Sequence, residues 1–482
     1  MAPDGDLSSE VAGRLAAHRD RRAATTGTLV PGDEEVYVGD EVALRGRDLP
    51  PETALGLVWH SVEGSWGVLQ GNEVTGPQYQ AREERLRTVS TDGDGTVDVA
   101  VEVPQDYGGS HVVTLETPEG ETVARTELEV VPWFELAERS APLGDVFTIR
   151  GYGIGPNPLT NNYQIAWDNG MVGFVTGVMN RGTATAEVRA VGPPGEHVLQ
   201  VWRNYRGVPF LQNNTQSPYG PVAGGRTSSW TVTVTEPDSD PAQCWTDPQF
   251  DETPLAVHYP ELDEDTDATL AVTPTSGQPG TQAFIRGEGF PPGETVDLVW
   301  HRHQGHRVKG IPITPEPRPD VLPTVTADDD GDFQVEVEIP SDVGSTRPIT
   351  ASVDGRSVAV TGFMLQPEAR SIEPTSGPVG TEIDIELSGV GWTIYENAPY
   401  FVYDNRPLGY VCGVDDDEAN GITHVKLRAA GEPGWHFVDV YPSIFETHDD
   451  EPDFEITPHL SYIDNHPMRP LPAFHFAFEV TE

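Results

Sequence analysis

The stretch GDEVALRGRDLPPETALGLVWH, residues 39–60, returns as GTQAFIRGEGFPPGETVDLVWH at residues 280–301. Arg45-Gly46 falls on Arg286-Gly287, Pro50-Pro51 on Pro291-Pro292, and Trp59-His60 on Trp300-His301, all at one offset. Further on, DGDGTVDVAVEVP (92–104) matches DDDGDFQVEVEIP (328–340) at a slightly smaller offset, so the first copy is longer in between. Both matched segments read as strands. Phe333, Val335, Val337 and Ile339 alternate with Gln334, Glu336 and Glu338, and Val97, Val99, Val101 and Val103 repeat the pattern. A period of two places the apolar set on one sheet face and the acids in solvent. A slip of one residue would bury the acids, which fixes the register. Asp94-Gly95 and Asp330-Gly331 supply turns that tolerate positive φ, and Pro104 and Pro340 stop the strands because proline cannot donate to the ladder.

A second pair interleaves with the first. APLGDVFTIRGYGIG (141–155) aligns with GPVGTEIDIELSGVG (377–391), Asp168-Asn169 with Asp404-Asn405, and GPPGEHVLQVW (192–202) with GEPGWHFVDVY (431–441). Internal repeats of this kind set the architecture before any local reading does. With several short strands and turns per hundred residues or so, the expected fold is all-β: four tandem immunoglobulin-like β-sandwiches in A-B-A-B order, from an internal duplication. The boundaries are a polar N-terminal arm over 1–30, A1 over 31–132, B1 over 133–236, an acidic linker over 237–267, A2 over 268–365 and B2 over 366–482. In the arm, Leu7, Val11 and Leu15 fit either a short helix or a disordered stretch.

VTPTSGQPGTQAFIRGEGFPPGETVDLVW (272–300) resembles the immunoglobulin-like fold of plexins and transcription factors, the IPT/TIG class, and SIEPTSGPVGTEIDIELSGVGW (371–392) has the same opening. A2 through 328–340 also resembles repeats of prokaryotic surface proteins and of accessory modules of secreted hydrolases. The resemblance implies modules that space, bind or scaffold. A1 lacks the Pro-x-Ser-Gly opening near Val36–Gly39, and B1 keeps only Ser140–Gly144 of it.

Seventy-seven acids against 29 bases leave a formal net charge of −48, and lysine occurs only at Lys309 and Lys426. Such a surface repels nucleic-acid phosphates and anionic headgroups. The composition resembles that of proteins from salt-loving archaea. No run of about 20 apolar residues marks a membrane-spanning helix, and the first 33 residues carry no signal-peptide core. The domain type points to an extracellular, cell-surface or virion setting; without a leader, a cytoplasmic one stays open. Cys244 and Cys412 fit either two separate thiols or one long-range bridge.

Three groups of side chains are candidates for chemistry. His301, His303 and His306, in WHRHQGHR, have a spacing that suits zinc or copper; the matched A1 positions are His60, Val62 and Ser65, which favours a solvated loop. Asp328, Asp330 and Asp332, like Asp92, Asp94 and Asp98, resemble part of a calcium loop, and tight Asp-Gly turns explain them equally without calcium or another divalent cation. The long B-type loops bring Tyr163, Trp167, Asp168 and Asn169 in B1 and Trp392, Tyr395, Tyr403, Asp404 and Asn405 in B2. Aromatic faces and Asn or Asp would suit a glycan; the same rings could fill the core, and the Asp-Asn pairs read more simply as turns. His197 and His436 sit at matched strand entries, a structural position. Asn213-Asn214-Thr215 is a glycosylation sequon.

No GxSxG, HExxH, phosphate-loop or dinucleotide motif occurs. The expected function is non-enzymatic, without a cofactor: a structural or adhesive protein that presents binding loops to a protein or glycan, as a monomer or a homo-oligomer. The rival reading is a carbohydrate-binding accessory protein of a hydrolase system.

Overall fold

The computed structural model describes residues 25–69, 73–156, 162–205, 208–209, 228–247, 259–306, 311–390, 399–411, 421–443, 457–466 and 473–482. The chain is all-β, and one short helix, Tyr462–Asn465, stands among the described residues. It forms two compact units. Unit 1 holds Met1–Gly67, Val74–Glu236 and Glu446–Pro467; unit 2 holds Val68–Glu73, Pro237–Phe445 and Met468–Glu482.

In unit 1, a sheet of Thr28–Pro31, Glu41–Arg47 and Val97–Glu102 shares one core with a larger sheet ordered Glu35–Val36, Thr122–Val130, Gly109–Glu116, Ala54–Leu69, Glu73–Ser90. Leu29, Leu44 and Val99 from the first sheet meet Leu57, Trp59, Val113 and Leu128 from the second, which is the two-layer solution to burying one face of each sheet. A second pair joins Ala184–Arg189, Val146–Tyr152 and Trp133–Leu136 to a sheet ordered Ser140–Pro142, Ser228–Thr235, Gly195–Tyr205, Asn162–Trp167, Gly170–Thr176. Phe134 against Tyr163 at 4.9 Å and Phe147 against Trp167 at 5.8 Å pack these layers together.

Unit 2 has two such pairs of its own. Thr269–Thr273, Gln282–Glu288 and Phe333–Glu338 pack on Ser276–Gly277, Arg356–Leu365, Ser345–Val353, Thr295–His306 and Ile311–Arg318. Glu368–Glu373, Glu382–Ser388 and Ile422–Arg428 pack on Cys244–Thr246, Phe474–Thr481, Gly434–Tyr441, Tyr400–Tyr403 and Arg406–Tyr410. In all four larger sheets a two- or three-residue strand runs parallel to a long one: Glu35 beside Glu129, Ser140 beside Thr233, Ser276 beside Met364 and Ser376 beside Glu479.

The matched motifs have local causes. In Gln282–Glu288 the side chains alternate strictly between buried and exposed. Gly287 is inward, and a Cβ there would lie 2.2 Å from the Phe333 ring; at Gly46 it would lie 2.7 Å from Leu49 and Val97. Gly95 and Gly331 turn at φ of 69° and 83°, with Leu49 O and Phe290 O where a Cβ would go. The Asp-Gly turns thus pack onto the proline turns, which explains why the two motifs travel together. Val97–Glu102 and Phe333–Glu338 are extended, as their alternation requires.

Residues 237–267, expected as a linker, contribute structure to unit 2. Cys244–Thr246 pairs antiparallel with Phe474–Phe476, and Ser357 donates its N–H to Asp263 at 2.8 Å. Cys244 is a partly buried free thiol. Cys412, the sequon Asn213-Asn214-Thr215 and most of the N-terminal arm lie outside the described residues.

Candidate functional site

The B-type turns are built alike. Asp168 and Asn169 take φ of 46° and 65°, and Asp404 and Asn405 take 45° and 60°, a conformation that Asp and Asn tolerate better than other side-chain residues. Each aspartate then bonds the neighbouring strand. Asp168 accepts the Val198 N–H at 2.9 Å and faces His197 Nδ1 at 2.7 Å. Asp404 accepts the Phe437 N–H at 3.0 Å and faces His436 Nδ1 at 2.5 Å. The second ring nitrogens face Pro193 O and Glu432 O, at 2.9 and 2.8 Å. Burial works against a charged His436, but the Asp404 carboxylate outweighs it and raises the imidazole pKa above its ordinary value. These residues latch a turn to a strand.

The aromatic candidates are interior. Tyr163 is 1% exposed, Trp167 stacks on His197 at 4.9 Å, and Tyr403 is buried with its hydroxyl donating to Ala430 O at 2.8 Å. Asn405 is buried as well. Trp392 and Tyr395 lie outside the described residues. Of the metal candidates, His301 is buried beside Thr350 Oγ1 at 2.9 Å, and burial lowers its pKa. His303 and His306 pair through the backbone with Pro315 and Ile311. The Asp328 carboxylate accepts the N–H groups of Asp330 and Asp332 at 3.0 and 2.9 Å. Asp92 does the same for Asp94 and Thr96, and those bonds, with the Thr96 hydroxyl foremost, hold its pKa below the usual carboxylate range. No cluster of three or more His, Cys, Asp or Glu suited to a metal occurs among the described residues.

Two buried arrangements were not singled out in the sequence. Trp59 donates its indole N–H to Asp106 at 2.8 Å, and Trp300 donates to Asp342 at 2.8 Å. Each carboxylate also accepts the next residue's N–H. The signal was present, since PQDYGGS (104–110) aligns with PSDVGST (340–346). The second arrangement is His475, with Nδ1 2.6 Å from Asp439 and Nε2 2.8 Å from Asp247. Both contacts are hydrogen bonds only when both ring nitrogens carry protons.

The most specific site is the outer edge of Gly170–Thr176 in unit 1. Thr457–His466, which the sequence places between strands Gly434–Tyr441 and Phe474–Thr481, lies along it. Phe174 donates its N–H to Pro458 O at 2.9 Å, Leu460 donates to Phe174 O at 2.8 Å, and Phe174 and His459 form a parallel bridge. Ser461 Oγ takes the Thr176 N–H and gives its proton to Thr176 O, both at 3.0 Å. Asn465 Oδ1 accepts from Met179 and Asn180 at 3.1 Å, its Nδ2 donates to Thr183 O at 2.9 Å, and Asp464 accepts the Thr185 N–H at 2.9 Å. A Cβ at Gly173 would meet Pro458 O at 2.5 Å and Leu460 at 3.0 Å. His459, Leu460, Ser461, Asn465 and His466 are each 0% exposed. His459 stacks on Phe174 at 4.8 Å and lies 5.5 Å from His466. Its Nε2 meets Ser461 Oγ at 3.0 Å, while Nδ1 finds no partner among the described residues. Burial, reinforced by His466, holds its pKa well below the ordinary histidine value.

No family model and no curated protein matches the sequence. Among solved structures, the chain is similar to Salmonella alpha-2-macroglobulin reacted with methylamine, at 10% identity and a TM-score of 0.18 over 95% of this chain and 31% of that one. It is similar at 12% identity and a TM-score of 0.17 to Escherichia coli alpha-2-macroglobulin activated by porcine elastase, over 95% of this chain and 44% of the other. Dimeric latent PorU from Porphyromonas gingivalis matches at 12% identity and a TM-score of 0.16, over 71% and 34%. The chain thus spans less than half the length of each of these proteins.

Proposed function

We propose that this is a non-enzymatic structural protein: four immunoglobulin-like sandwiches in A-B-A-B order, from duplication of a two-module unit. Its modules scaffold a cell-surface, virion or secreted assembly and present loops to a protein or glycan. One observation supports the reading. The polar side chains that recur at matched positions, the buried Trp59–Asp106 and Trp300–Asp342 and the more exposed Asp168–His197 and Asp404–His436, all bond one strand or turn to another. Chemistry used this way rigidifies a core, and a rigid sandwich is what holds loops at its ends in place.

The test is fractionation of the source cells and their medium, with antibody labelling of intact cells or particles. The reading expects the protein in an extracellular or surface assembly that accepts antibody without permeabilisation. A protein found only in the soluble cytoplasm, outside any assembly, would overturn it. A glycan array on the purified chain decides the rival: saturable glycan binding lost with a surface substitution such as Tyr410→Ala, at a side chain 48% exposed, would favour the accessory-protein reading.

A further inference from the structure

The seat on Gly170–Thr176 fits one occupant. The seat offers backbone N–H and C=O groups, as in strand addition to a sheet edge, and the segment meets them with its backbone at Pro458 and Leu460 and with the side chains of Ser461, Asp464 and Asn465, so the contacts read sequence. Gly173 leaves room only for Pro458 and Leu460, Phe174 stacks on the His459 ring, and Asn465 satisfies backbone groups of Met179, Asn180 and Thr183. The occupant comes from elsewhere in the chain. Thr457–His466 belongs to unit 1 by its contacts, but the strands on either side of it in sequence, Gly434–Tyr441 and Phe474–Thr481, belong to unit 2.

We propose that the same seat takes Thr457–His466 from a second copy of this chain, so that copies join by reciprocal strand exchange. Each copy carries one seat and one complementary segment, and exchange reuses every contact of the closed form without requiring a new surface. Charge permits it locally. TPHLSYIDNH (457–466) holds one carboxylate, Asp464, in a chain of net charge −48, and Asp464 is bonded to the Thr185 N–H. Repulsion between the remaining surfaces opposes association and is screened within about 3 Å at 1 M salt, so high salt and high protein concentration favour the exchanged form. The inference goes beyond the proposed structural role and does not depend on it.

Cross-linking of the full chain tests this. In a background with Cys244→Ser and Cys412→Ser, one tagged copy carries Thr176→Cys and a differently tagged copy carries Ser461→Cys; the Thr176 N–H and Ser461 Oγ are 3.0 Å apart in the closed form. The two are mixed at high concentration in molar salt, opened by a brief acid pulse, returned to neutral pH and oxidised. The expected result is a disulfide-linked heterodimer that binds both tag resins, with each single variant alone giving several-fold less dimer. A chain with both substitutions controls for folding and should close the bond internally at low concentration. If that control forms its internal bond while the mixed variants yield no heterodimer above the single-variant level, exchange does not occur and the proposal fails. Gly173→Val in the Thr176→Cys copy should abolish the heterodimer; equal yield with it would place the contact elsewhere and overturn the proposal too.

Discussion

Trp300 donates its indole N–H to the fully buried carboxylate of Asp342 at 2.8 Å, across 42 residues of sequence. The other oxygen accepts the Val343 N–H at 2.8 Å. Burial pushes the Asp342 pKa up to about 6, against the opposing pull of Trp300 and Val343. At the matched place in unit 1, Asp106 is closed over by Arg82 at 3.2 Å and by the Ser61 hydroxyl at 2.6 Å.

Trp300→Phe is therefore expected to destabilise unit 2 by about 2–4 kcal/mol at pH 7, combining the lost charged hydrogen bond with lost packing. The penalty should shrink near pH 5. A carboxyl whose folded pKa is raised contributes stability below its unfolded pKa and loses it as pH rises through the folded value, and removing a donor raises that value further. Thermal melts of wild type and variant at both pH values check this.

In unit 1, Arg82→Ala leaves the buried Asp106 without its guanidinium. The expected cost is about 2 kcal/mol, read by urea unfolding followed through tryptophan fluorescence. A loss within error would mean that the Trp59 and Ser61 donors suffice.

The seat on Gly170–Thr176 should loosen in acid. His459 has a depressed folded pKa, so the unfolded or released segment binds protons that the seated one does not. Stability conferred by seating is complete above the ordinary histidine pKa of about 6.5 and falls as pH drops below it. His466, Ser461 and Phe174 face the ring; Asp464 is engaged with Thr185 and Asn465. Hydrogen exchange at the Phe174, Thr176 and Leu460 amides should accelerate at least tenfold beyond its intrinsic pH trend between pH 7 and 5. His459→Phe should flatten that response.

His436 predicts the opposite sign. Its raised pKa means that the Asp404 contact stabilises fully below the unfolded histidine pKa and fades as pH rises through the folded one. Asp404→Asn should lower the melting temperature by a few degrees near pH 6 and by much less near pH 9; an equal loss at both would assign the contact to geometry alone.

Gly287→Ala probes the repeated Arg-Gly motif. With Phe333 ring atoms at 2.2 and 2.4 Å from the added carbon, overpacking of about 1–3 kcal/mol is expected, measured by thermal or chemical denaturation. At Gly39, where nothing lies within 4 Å of a Cβ, alanine should cost less and act only through the φ of 87°.

What was legible in the sequence was what repeats or alternates. Val97–Glu102 and Phe333–Glu338 advertise their buried faces two residues at a time, and the glycine, proline and tryptophan matches mark where turns meet strands. Asp106 and Asp342 repeat equally well, but a lone aspartate in a chain with 77 acids does not announce that it is buried. Tyr163, Trp167 and Tyr403 looked alike as core or as ligand surface, because ring burial depends on which layer faces them. Thr457–His466 was invisible for a physical reason: its hydrogen-bond partners lie some 280 residues upstream, as Ser461 with Thr176 shows, and its contacts follow no period. Cys244–Thr246 hid for a similar reason, since an acidic, proline-bearing neighbourhood masks three residues that add to a sheet edge.

The strand Phe474–Thr481 has neighbours on both sides, Cys244–Thr246 and Ser376–Pro378 on one and Gly434–Tyr441 on the other. It is also made after all three of these neighbours. During synthesis, this sandwich lacks that strand until residues 474–481 emerge, and the edge at Gly170–Thr176 stays bare from the time it leaves the ribosome until residues 457–466 emerge. A chain that stalls or terminates early would expose both gaps at once, so chaperone capture or coaggregation of truncated products is the characteristic failure this topology invites.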